Sequence, residues 1–418
     1  MRSAFLLLTA FALAQVSFDQ AARDLGSSDP EARLRSVRLI KEGAYPDAAL
    51  PLVRLLADPV DDVQLEAIAA ELNIFLAEKI VPRRRIGFVI EVRSRIDAET
   101  AFANGPLALG PRPVPMDVLG ALRAASRDEN PRVAIEAVYA FGALGVEPGG
   151  PARRELLAAS APALAAMLGV PDPAFRAAAL RVIGRLYEPR PQDDGIDQML
   201  GDAVVGALND PERAVRAEAM DALGEIRYDR ALQALTDLYA YYGKGELAEL
   251  SFDAIARIAH ASSAPLFASA LASKSPAVKR TAVEGLARVG DRAKLAEIQA
   301  AAASDRRASL QLAAAFAAVM LADAPVDPLA EALRRDRREQ AWRYLVEAAP
   351  GRTPALLRYA QDPDARLRAD MADILGIAGD PAALRIVEPL LQDRDAQVAA
   401  SAARAAARLR AAVSRPRS

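Results

Sequence analysis

The chain has 418 residues, of which 52% are hydrophobic and only 5% aromatic, and its 53 basic and 55 acidic residues give a net charge of -2. This length exceeds what one hydrophobic core usually supports, so several domains or a modular array are expected, and the abundance of alanine favours closely packed helices. Because nucleic-acid-binding proteins usually carry a basic surplus, the balanced charge argues against a nucleic-acid partner.

Residues 1–14, MRSAFLLLTAFALA, have the layout of a secretory signal. Arg2 precedes an apolar stretch, and Ala12-Leu13-Ala14 offers a cleavage site between small residues. We expect cleavage near Ala14 and export to the periplasm or cell exterior. The alternative is a first helix of the folded array with an unusually apolar face. No later segment has about eighteen consecutive apolar residues, so we expect no stable membrane insertion after the signal is removed.

Missing residue types exclude several chemistries. The chain has no cysteine and a single histidine, His260, which excludes disulfides, thiolate nucleophiles, cysteine-based zinc sites and sites needing two histidines from one chain. A Ser-His-Asp arrangement would need His260, which lies near the end of a predicted helix. We interpret it as an ordinary helix-terminal residue that interacts with the helix dipole. We therefore expect no catalytic residue, no metal site and no cofactor.

A boundary pattern recurs along the chain: an aspartate followed five residues later by an apolar residue. Clear copies begin at Asp29, Asp58, Asp128, Asp210, Asp305, Asp336, Asp362 and Asp393, and degenerate copies begin at Val170, Tyr242 and Ser273. From position 210 onward the copies recur about every 31 residues, and such a sustained period is typical of a solenoid.

Each copy predicts a pair of helices. In DPERAVRAEAMDALGEI, Asp210 is predicted to cap a helix, Pro211 to be its first residue, and apolar residues from Val215 to Ile226 to form one face. After a polar turn another helix follows, for example from Pro381. The sequence therefore predicts an all-α fold, an α-solenoid of about eleven to twelve helix-turn-helix repeats.

This pattern resembles the HEAT repeat, especially the short bacterial form of phycobilisome-lyase-like proteins, over roughly residues 20 to 412. The resemblance implies a ladder of Asp and Arg side chains between neighbouring units. The matching residues are Asp29 with Arg35, Asp210 with Arg216, and Asp362 with Arg368. Lys279 replaces the arginine in one copy, and four other copies depart from the pattern at Gln64, Gln311, Trp342 and Ala399, so we expect the ladder to be broken in places.

The repeats leave one long interruption, and the predicted organisation follows from it. A signal peptide (1–14) precedes N-terminal repeats (15–78), an insert or degenerate repeat with a proline-rich loop (79–115), the main array (116–412) and a basic tail (413–418). The insert contains the basic run Arg83, Arg84 and Arg85 and an alternating segment, Ile86 to Val92, that could form a short strand. It is either one decayed repeat or an inserted element that docks a partner.

Carboxylates recur eleven residues after several boundaries, at Asp221, Asp253, Glu284, Glu347 and Asp373. In HEAT-like arrays the second helix of each pair lines the concave surface, so these residues form either an acidic stripe for a basic partner or a solvated helix face. Tyr239 and Tyr242 are candidates for an interface, because tyrosine supplies rigid contact area with a polar tip, or they fill space between helices.

The leading functional hypothesis is a non-catalytic scaffold that presents an extended concave surface to another protein. We expect the scaffold to be a monomer. The alternative is a chromophore-handling enzyme, as the resemblance to phycobilisome-lyase-like proteins allows, or a chaperone.

Overall fold

A computed structural model describes residues 18–77, 97–147, 149–190 and 195–413. The predicted signal peptide, the basic run Arg83 to Arg85, the alternating segment Ile86 to Val92 and nearly all of the basic tail lie outside these residues.

The described residues form eleven successive helix pairs, which confirms the predicted all-α solenoid. The first helices of the pairs are α1 Phe18–Asp24, α3 Ala49–Leu52, α6 Met116–Ala125, α8 Gly150–Met167, α10 Gln198–Gly206, α12 Leu232–Tyr242, α14 Ala264–Ala270, α16 Leu295–Ala303, α18 Asp327–Ala332, α20 Thr353–Ala360 and α22 Leu384–Leu390. The second helices are α2 Pro30–Gly43, α4 Asp61–Phe75, α7 Pro131–Leu144, α9 Pro173–Leu186, α11 Arg213–Glu225, α13 Glu246–Ile258, α15 Pro276–Val289, α17 Ala308–Ala322, α19 Arg338–Ala348, α21 Ala365–Ala378 and α23 Ala396–Val413.

Short connecting elements complete the described architecture. One additional helix, α5 Ala98–Ala103, precedes the third pair. Turns of 3-10 helix are Pro46–Ala48, Val53–Ala57, Pro106–Ala108, Ala207–Asn209, Asp229–Ala231, Ala261–Ser263, Arg292–Lys294 and Pro381–Ala383. An isolated antiparallel bridge joins Leu76 to Leu109.

The second helices pack against one another in chain order and form a continuous inner layer. Small residues at the crossings allow this close packing. A Cβ atom added to Gly224 would lie 2.9 Å from the Cα atom of Ala254 in the next inner helix, and one added to Gly376 would lie 2.6 Å from that of Ala405. The first helices lie outside this layer, and buried alanine, leucine, valine and isoleucine side chains fill the space between the two layers.

The inner helix α11 begins later than its boundary aspartate predicts. Asp210 accepts a hydrogen bond from the backbone N–H of Glu212 (2.9 Å), but Glu212 is the N-cap and α11 starts at Arg213. The prediction that Asp210 caps this helix and that Pro211 is its first residue was therefore wrong. The aspartate instead closes a turn two residues before the cap, which leaves its second carboxylate oxygen available to a neighbouring unit.

The first copy of the repeat has a different register from the one we assigned. Asp29 is the true N-cap of α2, where its carboxylate accepts from the N–H of Glu31 (3.1 Å), and Pro30 is the first helical residue. It therefore occupies the position of Glu212, two residues after the boundary position that Asp210 occupies. Ser27 stands at the true boundary position of this copy.

The second and third pairs meet directly across the interruption between them. Inner helices α4 and α7 contact each other directly, and so do the outer elements of the same two pairs. The array is therefore continuous across the interruption. Helix α5 is an extra element that packs on α7.

Candidate interaction surface

Charged rungs link consecutive units, but their pairings differ from those expected. The arginine of one unit holds the boundary aspartate of the next unit. Three such pairs are nearly buried and bidentate, with N···O distances of 2.7 to 2.9 Å: Arg33 with Asp58, Arg176 with Asp210, and Arg368 with Asp393. Each of these arginines lies six residues after the boundary position of its own unit, at 27, 170 and 362.

The residue pairs assigned from the sequence lie within single units. Arg35 is 3.7 Å from Asp29, and both side chains are more than half exposed. Arg216 donates to the backbone carbonyl of Asp210 (2.6 Å), and Arg368 donates in the same way to Asp362 (2.8 Å). Each arginine therefore also secures the turn at the start of its own unit.

The expected breaks in the ladder occur in part. Gln64 keeps a rung through its amide, which donates to Asp128 (2.9 Å), and Lys279 lies 3.6 Å from Asp305. Arg216 faces a unit whose boundary residue is Tyr242, and its buried Nε has no hydrogen-bond partner. The ladder therefore breaks after Arg216, where the next boundary residue is not an aspartate. It also breaks as expected at Gln311, whose amide donates to the backbone carbonyls of Ala302 and Asp305 instead of to a carboxylate of the next unit.

The predicted acidic residues lie on the inner layer, but arginines hold them. Arg257 of α13 lies 2.8 Å from Asp221 and 2.5 Å from Asp253. Burial acts to lower the pKa of Arg257, but Asp253 and Asp221 raise it overall. The guanidinium therefore stays charged and neutralises both carboxylates. The sequence offered a signal for this pairing, because Arg257 follows Asp253 by one helical turn.

The next two acidic residues belong to a buried network across three inner helices. Arg288 of α15 makes a bidentate pair with Glu347 of α19 (2.8 and 2.9 Å). Glu284 is only 6% exposed and accepts from the hydroxyl of Tyr344, which stacks on Phe316 with ring centroids 4.5 Å apart. Burial raises the pKa of Glu284, although Arg288 opposes this shift.

Asp373, the last acidic residue of the series, is also buried and satisfied. It accepts from Arg404 of α23 (3.1 and 3.2 Å) and from the hydroxyl of Ser401 (2.9 Å). All five predicted carboxylates therefore have partners, and the inner layer presents a network of mixed charge. This geometry therefore does not provide a row of free acidic groups for a basic partner.

Helix α5 covers the beginning of the inner layer. Its Glu99 accepts from Arg181 of α9 (2.8 Å), and Arg181 also donates to the hydroxyl of Tyr139 (2.9 Å). The ring of Phe102 lies beneath the guanidinium of Arg185, with 3.8 Å from its centroid to the guanidinium carbon. Helix α5 of the inserted segment thus packs against the inner layer of the array.

The two tyrosines predicted for an interface lie in the outer helix α12, away from the acidic residues. Tyr239 is half-buried and stacks on Phe252 of α13 with ring centroids 4.7 Å apart. Tyr242 is also half-buried and meets Tyr241 edge to face at 5.2 Å. Tyr241, which belongs to the same aromatic cluster in the sequence, is 81% exposed. His260 caps a 3-10 turn, and its Nδ1 lies 2.7 Å from the hydroxyl of Ser262.

The two ends of the array approach each other and line a half-open cavity of about 1780 Å³. One side consists of the ends of α2 and α4, the turn after α2 and parts of the loop 104–112. The other side consists of α19, α21 and α23. We call this space the end cavity. Beside it, Arg408 of α23 donates to the backbone carbonyl of Pro106, 302 residues away in sequence. Sequence periodicity carried no signal for this contact, because the curvature of a solenoid accumulates from small rotations between units.

Within the described ranges, no helix is long and apolar enough to span a bilayer. Across the same part of the chain, no group of three or more histidine, aspartate or glutamate side chains is arranged to hold a metal ion.

A comparison with protein families agrees with the repeat architecture in part of the chain. A family model described as HEAT repeats matches residues 160–242. This match assigns HEAT repeats to residues 160–242, and the helix pairs show the same helix-turn-helix arrangement along the rest of the described chain. A solved crystal structure of an engineered protein from a structural genomics consortium is similar at 18% identity and a TM-score of 0.42, covering 94% of this chain and 98% of that one. No curated protein matches the sequence.

Proposed function

We propose that this repeat protein is a non-catalytic scaffold that binds another protein along its inner layer and in the end cavity. The observation that carries the proposal is the end cavity itself. At about 1780 Å³ it exceeds the roughly 300 to 1,000 Å³ of typical small-molecule pockets, so it is suited to a segment of a macromolecule.

The rigidity of the inner layer supports the same role. Bidentate rungs and buried networks fix one helix to the next, so the surface is formed before a partner arrives. Binding to a preformed surface avoids the cost of ordering loops and side chains. The export of the scaffold to the cell envelope is part of the proposal and rests on the signal-like residues 1–14.

Site-specific photo-crosslinking tests the scaffold role. A photoreactive residue replaces Gln397, which is exposed at the wall of the end cavity, and in a matched variant it replaces Gln233, which is exposed on the outer helix α12. We expect a discrete protein adduct from position 397 and none from position 233. Adducts from position 233 alone, or from neither position, would contradict the proposal.

Fractionation in the same experiment tests export. We expect the adduct in the envelope fraction and a mature N-terminus just after Ala14. A protein that keeps residues 1–14 and remains with the cytosolic fraction would contradict export while leaving the scaffold role intact.

A further inference from the structure

The chemistry of the end cavity indicates which kind of segment it accepts. Its lining includes five arginines, Arg112, Arg338, Arg343, Arg366 and Arg404, and four acidic residues, Glu339, Asp370, Asp373 and Asp395. Whether this wall attracts an anionic or a cationic ligand depends on which of these groups already have partners.

Three of the four carboxylates are occupied within the protein. Asp370 accepts from Arg338 through both carboxylate oxygens, and Asp373 is held by Arg404. Asp395 accepts from backbone N–H groups in the first turn of α23, which satisfy its oxygen but leave its charge unpaired. Acceptors that are already satisfied gain little from a basic ligand, because such a ligand would have to displace existing charge-assisted hydrogen bonds.

The arginines are less fully occupied. The side chains of Arg343 and Arg366 make no hydrogen bond or salt bridge to any residue that the structure describes, although Arg366 is close enough to Asp370 to favour its charged form. Arg112 donates to a backbone carbonyl, which carries no net charge, and the buried Nε of Arg404 has no hydrogen-bond partner. Glu339 is the remaining exposed carboxylate of the wall. Arg112, Arg343 and Arg366 are therefore left against Glu339 and Asp395, so the charge that is not paired within the cavity wall is net positive.

An apolar component lies among these charges. Trp342 is half-buried, lines the cavity and is the chain's single tryptophan. Ala365, Ala369 and Ala400 also line the cavity, and their small side chains leave room next to the wall between α19 and α23. An indole next to guanidinium groups offers a flat apolar surface for a side chain whose neighbours are anionic.

We propose that the end cavity binds an acidic, partly apolar peptide segment of the partner protein. Arg343 and Arg366 pair with the carboxylates of the segment, and Trp342 packs against its apolar side chains. This inference rests on the proposed scaffold function and gives the partner a chemistry opposite to the basic one that the carboxylate spacing suggested.

Intrinsic fluorescence of Trp342 in the full chain tests this assignment. The probe is a short peptide of alternating glutamate and leucine, and two control peptides carry lysine or glutamine in place of glutamate. We expect the acidic peptide to shift the emission of Trp342 in a saturable manner that weakens with added salt. The lysine and glutamine peptides should produce little shift at the same concentrations.

Variants locate the binding. We expect the double variant R343E/R366E to weaken binding of the acidic peptide roughly tenfold or more, because each substitution replaces an attraction with a repulsion. The matched variant R154E, on the exposed surface of the outer helix α8, should bind as the original protein does. Circular dichroism of each variant checks that the helices are intact.

Several outcomes would overturn the assignment. They are a stronger response to the lysine peptide, equal responses to all three peptides, no response to any of them, and an R343E/R366E variant that is folded and binds normally. A single-stranded oligonucleotide that displaces the acidic peptide would assign the cavity to nucleic acid instead. If position 397 still crosslinks to a protein while the peptides fail, the scaffold function stands and this inference falls.

Discussion

Arg176 of α9 and Asp210 of the next unit are joined by two parallel hydrogen bonds of 2.8 and 2.9 Å, and both side chains are almost fully shielded from solvent. The bond to Arg176 holds the pKa of Asp210 below its usual range, although partial burial works in the opposite direction. The pair therefore stabilises the native state above the ordinary pKa of aspartate, and this stabilisation is lost as the pH falls through the lowered value.

Removing one partner of this rung should be costly. We expect Arg176→Met to lower the free energy of unfolding by about 2 kcal/mol at neutral pH, because it leaves a shielded carboxylate without its cation. In the matched variant Arg213→Met, which removes an exposed pair with Glu246, the loss should stay below about 0.5 kcal/mol. Urea unfolding followed by circular dichroism measures both. Equal losses would show that the rung is no stronger than a surface ion pair.

Close packing of inner helices predicts a steric penalty at Gly376. A Cβ atom there would lie 2.6 Å from both the Cα and the Cβ atoms of Ala405. We expect Gly376→Ala to destabilise the protein by about 1 to 3 kcal/mol, because α21 and α23 must move apart. Gly120, inside α6, has no atom within 4 Å of its Cβ position, so Gly120→Ala should stabilise by about 0.5 to 1 kcal/mol. A melting temperature that falls equally in both variants would contradict this explanation.

Glu71 of α4 predicts an unusual dependence of stability on pH. Its side chain is fully buried, neither carboxylate oxygen has a hydrogen-bond partner, and burial raises its pKa to about 9. Between the ordinary glutamate pKa and about 9, the unfolded chain is ionised at this residue while the folded chain keeps the proton. This difference should lower the free energy of unfolding by up to about 1.4 kcal/mol per pH unit.

The variant Glu71→Met isolates that contribution. We expect it to be more stable than the original protein at pH 8, with an advantage that shrinks toward pH 5. The exposed Glu155 of α8 provides the control, since Glu155→Met should leave the pH dependence unchanged. Parallel pH profiles for the original protein and Glu71→Met would show that Glu71 is not protonated in the folded state.

The contact between the ends of the array predicts a change of shape on charge reversal. Arg408 donates to Pro106 and lies close enough to Glu147 to affect its ionisation, while Glu147 accepts from the backbone N–H of Val114 (3.1 Å). We expect Arg408→Glu to separate the ends, because it removes the hydrogen bond and places a second carboxylate near Glu147. Small-angle X-ray scattering should then record a larger radius of gyration.

Arg410 of the same helix provides the control for this experiment. It forms an exposed pair with Glu388 (2.9 Å) on the adjacent outer helix. Arg410→Glu should leave the scattering curve unchanged. Identical curves for the original protein and Arg408→Glu would show that the ends are held together by other contacts.

Local patterns in the sequence were sufficient to predict the solenoid but not its detailed pairings. The spacing of apolar residues after each boundary fixes which helix face is buried, so the inner helices were predicted correctly. The register of Asp29 was wrong because an N-cap and a boundary aspartate are the same residue type two positions apart. Arg33, which forms the actual rung, lies only two residues before the arginine that we assigned.

Features that depend on three-dimensional shape could not be predicted from the repeat pattern. The docking of α5 through Glu99 and Phe102 joins residues about 40 to 80 positions apart outside the repeat register. The end cavity depends on the accumulated curvature of eleven units. The sequence showed the acidic positions, but Asp221, Glu347 and Asp373 pair with arginines on other helices, and no linear pattern specifies how those helices are rotated relative to one another.

The contact between Arg408 and Pro106 also has a mechanical consequence. In an open repeat array each unit touches only its neighbours, so a pull on the two ends extends the molecule gradually as its curvature relaxes. Here the same pull must first break the hydrogen bond between Arg408 and Pro106, which are 302 positions apart. Extension should therefore begin with an abrupt rupture of this contact, after which the molecule lengthens at low force. A partner bound in the end cavity would raise the force at which the rupture occurs.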